Sequence, residues 1–192
     1  MAEPAPTAPL EVRLLQPGWL PGAVDMVRAY ATDEDKVALA IELSRRNVQA
    51  GTGGPFGAVV FGPGDRIVAA AVNRVLPQAC TLAHAENFAF MLAQQRVGRA
   101  RLNDDGARYT LATSAQPCCQ CYGAAVWAGI DRLLVGARAQ DVEALTEFDE
   151  GPLPADWIGE LQRRGIEVVR DLHRDAACAV LARYGSGGGG RY

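Results

Sequence analysis

The sequence predicts an α/β protein: one domain over residues 1–192, a three-layer α/β/α sandwich around a five-stranded mixed sheet. Three observations carry that expectation. Short runs rich in apolar and β-branched residues alternate along the chain with longer, amphipathic, helix-length stretches. The first two short runs are separated only by Gly62-Pro63-Gly64-Asp65, a hairpin turn, so the sheet opens antiparallel before the helices intervene. With 49% hydrophobic and 21% charged residues in 192, the chain can build an ordinary core without disulfide staples.

The elements follow in order. Residues 1–22 carry Pro4, Pro6, Pro9, Pro17 and Pro21 and read as an irregular arm over the surface. A helix is expected over 33–50: Thr32 followed by Asp35 resembles a capping box, with Asp a weaker partner there than Glu or Gln, Val37, Leu39, Ala40, Ile41, Leu43 and Val48 supply its apolar face, and Gly51 ends it. Strands at 57–62 and 66–72 make the hairpin. A loop at 73–82 leads to a helix over 84–97. A strand at 109–113, a helix at 119–128 and a strand at 132–137 come next. After an acidic loop, a helix over 156–165, a strand at 166–171 and a last helix at 174–185 complete the domain. Gly185 to Gly190 is a flexible stretch before Arg191 and Tyr192, so 185–192 is a candidate hinged lid.

Composition excludes several functions. Nineteen basic and 22 acidic residues leave a net charge of −3, so nucleic acid is not the expected partner. No window approaches 18 uninterrupted apolar residues, so no membrane span is expected. The N-terminus lacks the basic and apolar regions of a secretory signal. The five cysteines are Cys80, Cys118, Cys119, Cys121 and Cys178. An odd number, three of them within four positions, points to thiols in a reducing cytoplasm and not to a disulfide framework.

Two motifs carry chemistry. His84-Ala85-Glu86 opens one expected helix and Pro117-Cys118-Cys119-Gln120-Cys121 opens the next. Helix N-termini aim N–H groups and positive dipole ends at one place, which favours thiolates and anionic ligands. His84, Cys118 and Cys121 make a three-ligand zinc set with the fourth position open for water, whereas a structural site would take four protein ligands. Glu86 does not ligate; it is placed to move a proton from attacking water to a leaving group. Positions i and i+3 share a helix face, so Cys118 and Cys121 point together while Cys119 points away as a packed neighbour. His173 has no such surroundings and reads as a surface histidine.

His-x-Glu followed by Pro-Cys-x-x-Cys is the signature of zinc-dependent nucleobase deaminases. With Gly54 to Ala58, Asn73-Arg74-Val75, Thr113 to Cys118, Gly123 to Trp127, Phe148-Asp149-Glu150-Gly151-Pro152 and Arg174 to Cys178, the chain resembles the cytidine deaminase superfamily, and within it the bacterial guanine deaminases. The resemblance implies one zinc per chain and hydrolysis of guanine to xanthine and ammonia, by attack of zinc-bound hydroxide on C2. It also implies a homodimer and a set of substrate contacts. Asn73 would bond the polar edge of the base, Phe56 and Trp127 would wall it, and Ala85 would touch it. Glu150 would hold N1–H and the exocyclic amine as a second catalytic acid, and Tyr192 would close the lid. Two departures stand out. Gln116 occupies a position where the family usually carries glutamate. The loop before Phe148 is one residue longer, which leaves Glu143, Glu147 and Asp149 open as substitutes for Glu150. The competing substrates are an aminotriazine, cytosine or a pathway-specific purine. Editing of tRNA lacks its basic footprint, and a dead zinc domain would have no need of Glu86.

Overall fold

The computed structural model describes residues 11–190. Its strands are β1 (Gly57–Gly62), β2 (Arg66–Val72), β3 (Thr110–Ala115), β4 (Arg132–Ala137) and β5 (Glu167–Val169). They form one mixed sheet in the order β2-β1-β3-β4-β5. The β1–β2 hairpin is antiparallel, β1 also pairs antiparallel with β3, and β3–β4 and β4–β5 are parallel. Every residue of β1 and β3 is buried, as a central strand covered on both faces must be.

The helices are α1 (Asp33–Gln49), α2 (Val75–Gln78), α3 (Ala85–Val97), α4 (Cys119–Ala128), α5 (Ala139–Thr146), α6 (Trp157–Gln162) and α7 (Arg174–Ser186). α1, α5 and α7 share one apolar core with one face of the sheet, and α3, α4 and α6 share another with the opposite face. The α/β/α expectation holds. Thr32 Oγ1 accepts from the Asp35 N–H at 3.0 Å and starts α1 where the capping pattern placed it. Lys36, the chain's one lysine, is 2% exposed; its Nζ lies 3.0 Å from Asp65 in the hairpin turn. Arg132 on β4 bridges Asp33 of α1 and Glu167 of β5, so three elements share one guanidinium.

The described part of the arm, residues 11–22, has no strand or α-helix; it enters a 3-10 turn at Leu20–Ala23 and is tied down from residue 15 onward. The Gln16 amide accepts from the Val72 N–H at 2.9 Å and donates to the Val72 carbonyl at 3.3 Å, pairing the exposed edge of β2. Three expectations need correction. The acidic loop after β4 contains α5, because Asp141 accepts from the Arg138 N–H at 2.8 Å and receives two bonds from Arg174 of α7. The loop at 73–82 holds the single turn α2. At the C-terminus, Gly185 and Ser186 belong to α7 and not to a flexible tail. A Cβ on Gly185 would stand 2.0 Å from the Leu145 carbonyl, so this glycine lets α7 approach α5. Tyr192 lies outside the described residues.

Candidate active site

The sheet topology sets the place. β1 runs against β2 and β3, so the start of β1 lies at the same end as the finishes of β2, β3 and β4. The segments holding Phe56, His84, Cys118 and Glu150 therefore leave one edge of the sheet, where open α/β sheets bind ligands. His84 is the N-cap of α3 and Cys118 the N-cap of α4, with Cys121 one turn into α4.

There the His84 Nδ1 lies 3.4 Å from Cys118 Sγ and 3.5 Å from Cys121 Sγ. The three ligand atoms lie within 4.8 Å of one another, and they form the one such metal-ligand group among the described residues. Zinc bonds of ~2.0–2.1 Å to nitrogen and ~2.3 Å to sulfur in a tetrahedron put the nitrogen and sulfur about 3.5 Å apart, so the donors fit zinc. The hydrogen bond from Cys121 first, and then His84, draws the Cys118 thiol down to about 4. Cys118 in turn pushes the Cys121 thiol up. A cation bound by both sulfurs would displace the remaining thiol proton.

Glu86 is 6% exposed; burial first, then the nearby Cys118 charge, pushes its carboxyl up to about 7. It lines a cavity of about 250 Å³ together with His84, Cys118, Phe56, Gln116, Phe148 and Glu150. Glu150 is 7% exposed and its carboxyl is pushed up to about 9, by burial and then by Cys118 and Glu86. Its backbone carbonyl accepts from the Cys119 N–H at 2.9 Å, fastening the acidic loop to the turn that bears the cysteines. Gly151, at φ +67°, lies where a Cβ would stand 2.5 Å from Cys119 Sγ. Cys119 therefore packs on this loop and stays outside the ligand set.

The other expected contacts divide. Phe56 lines the cavity, in ring contact with Phe148 at 5.6 Å, and Phe148 stacks on Tyr184 at 5.9 Å. Ala85 is fully buried at the start of α3. Asn73 is buried; its Oδ1 accepts from the Val75 N–H at 3.3 Å and stands 3.1 Å from where a Gly54 Cβ would be. Trp127 does not line the cavity of its own chain; it is 77% exposed on α4. Of the alternative acids, Asp149 lines the cavity beside Glu150, whereas Glu143 and Glu147 do not. The sequence reading assigned no role to Phe148 or Gln116, although both sit in motifs it singled out.

The profile of the cytidine and deoxycytidylate deaminase zinc-binding region matches residues 31–137. The chain belongs to that deaminase family. A probable cytosine deaminase of Schizosaccharomyces pombe is 32% identical over 142 residues, 71% of this chain and 82% of its own. The guanine deaminase of Bacillus subtilis is 37% identical over 111 residues, 58% of this deaminase and 67% of its own length. A crystal structure of guanine deaminase from Nitrosomonas europaea is 41% identical and covers 94% of this deaminase and 100% of itself, with a TM-score of 0.88. No helix among the described residues of the deaminase is long and apolar enough to cross a membrane.

Proposed function

We propose that the pocket converts guanine and water to xanthine and ammonia. One observation carries the reading: a single cavity joins the His84–Cys118–Cys121 triangle to two buried carboxyls, Glu86 and Glu150. When bound to those three residues, zinc supplies a Lewis acid that lowers the pKa of water to about 7. Glu86, whose burial raises its carboxyl to about 7 in the metal-free site, takes the proton that the attacking water loses and delivers it to the departing amine. Glu150 faces the donor edge of the base; held neutral near pH 7 by its raised pKa, its carboxyl accepts through its carbonyl oxygen from N1–H or the exocyclic amine. Phe56 and Phe148 supply apolar ring contact beside it. The similarity to the guanine deaminases supports this choice of base.

A second reading, cytosine, is favoured by the length of the match to the cytosine deaminase relative. A homodimer is supported by the exposed Trp127 on α4, a helix with no charged residue. A cytoplasmic location is supported by five free cysteines. Ammonia release by the zinc-loaded protein from guanine, guanosine, cytosine, cytidine, adenine and aminotriazines tests the assignment. Guanine is expected to give the highest kcat/KM, and a higher value for cytosine would replace it with the second reading.

A further inference from the structure

Gln116 sits where β3 ends and the cysteine turn begins. Its N–H donates to the Ala137 carbonyl at 2.8 Å, which fixes its backbone against the end of β4. Its side chain is fixed too. Oε1 accepts from the N–H of Ala139 at 3.4 Å. Ala139 is the first residue of α5, and a first-turn amide finds no acceptor inside its own helix. A backbone N–H can only donate, so the amide atom facing it is the oxygen, and Nε2 is turned away from it. The residue is 8% exposed and lines the cavity, and its Nε2 has no hydrogen-bond partner among the described residues.

The acids of the cavity wall, Glu86, Asp149 and Glu150, present carboxyl groups, while Gln120 spends its amide on the Thr81 carbonyl at 3.1 Å. Gln116 thus adds a neutral, pre-oriented N–H donor to a wall rich in carboxyl groups. We propose that Gln116 is a specificity-determining residue, whose Nε2 donates to a ring nitrogen or carbonyl oxygen of the bound base. This rests on the reading of the pocket as a base site. A base lacking that acceptor would leave a buried N–H unpaired and bind more weakly. A glutamate at 116 would keep the acceptor for Ala139 but lose the donor and bring another carboxylate towards Glu150.

The test uses zinc-loaded protein in the Glu86→Gln background, which keeps the site but does not consume the bases, with residue 116 as wild type, Gln116→Glu or Gln116→Met, and equilibrium dialysis against guanine, 3-deazaguanine, 7-deazaguanine and 2-aminopurine. 3-Deazaguanine deletes the N3 acceptor and 7-deazaguanine the N7 acceptor; 2-aminopurine deletes O6 and also turns the N1–H donor into an acceptor, so for it only the part of its penalty that the Gln116 variants remove is assigned to Gln116. With wild-type Gln116 one analogue is expected to bind about tenfold more weakly than guanine, the worth of roughly one buried hydrogen bond. In both variants guanine weakens by a similar factor and the penalty on that one analogue collapses towards none. A merely structural Gln116 would affect all four ligands alike. That outcome, or guanine affinity within twofold of wild-type Gln116 in both variants, overturns the proposal. Because binding is read apart from turnover, binding here without ammonia release by the wild-type enzyme would sink guanine deamination and still decide the role of Gln116. Binding of none of the four would overturn both.

Discussion

Glu86 shows how burial turns a carboxylate into a proton carrier. In water a glutamate is a poor base near neutrality, but at about 7 it accepts and returns protons with similar ease. Glu86→Gln is therefore expected to keep fold and zinc content and to lose about 10²–10⁴-fold in kcat; retention of more than about a tenth of the rate, far above that range, would remove Glu86 from the proton path. Glu150 makes a pH-dependent stability. Its carboxyl is raised from 4.5 to about 9, so the folded state binds the proton more tightly than the unfolded chain. That contribution is complete below about pH 4.5 and fades as pH climbs to about 9. The melting temperature of zinc-free protein should fall across this window, and Glu150→Gln should flatten the fall and be the more stable form at pH 8. An unchanged slope in the variant would contradict the assignment. His84, Glu86, Cys118 and Cys121 were legible in the sequence because each motif is local, two helix starts with fixed spacing. The exposure of Trp127 and the fixed amide of Gln116 were not, since they depend on packing and on an N–H 23 positions away.

The elements repeat the contrast. α1 and the hairpin could be read directly, from a cap, a periodic face and a Gly-Pro-Gly-Asp turn. α5 could not, because it is only eight residues long and its start is fixed by a tertiary contact with Arg174 of α7. That contact matters to the site, since α5 precedes the Glu150 loop and its first N–H orients Gln116. Asp141 is held at about 2 by Arg174. Asp141→Asn removes the charge from both bonds to Arg174, and a loss of about 1–3 kcal/mol in unfolding free energy is expected. Chemical denaturation checks this, and a change below about 0.5 kcal/mol, the scale of an ordinary surface substitution, would show that α5 stands without the pair.

At the scale of the molecule, one end of a mixed sheet gathers chemistry from four segments far apart in sequence. The alternation of strands and helices announced that architecture, but not which helices share a face, because strand order is decided by long-range pairing. The uncharged outer face of α4 gives a prediction about assembly. If Trp127 is covered by a second copy, Trp127→Glu should convert a dimer to a monomer in sedimentation. A wild type that already sediments as a monomer would refute the dimer. The most direct test of the function is product formation from guanine by protein stripped of metal and then restored with one equivalent of zinc. The account predicts xanthine and ammonia in equal amounts, lost on stripping and regained on restoration in wild type but not in Glu86→Gln. Xanthine formation that survives complete removal of zinc, or none from the restored wild type, would contradict it.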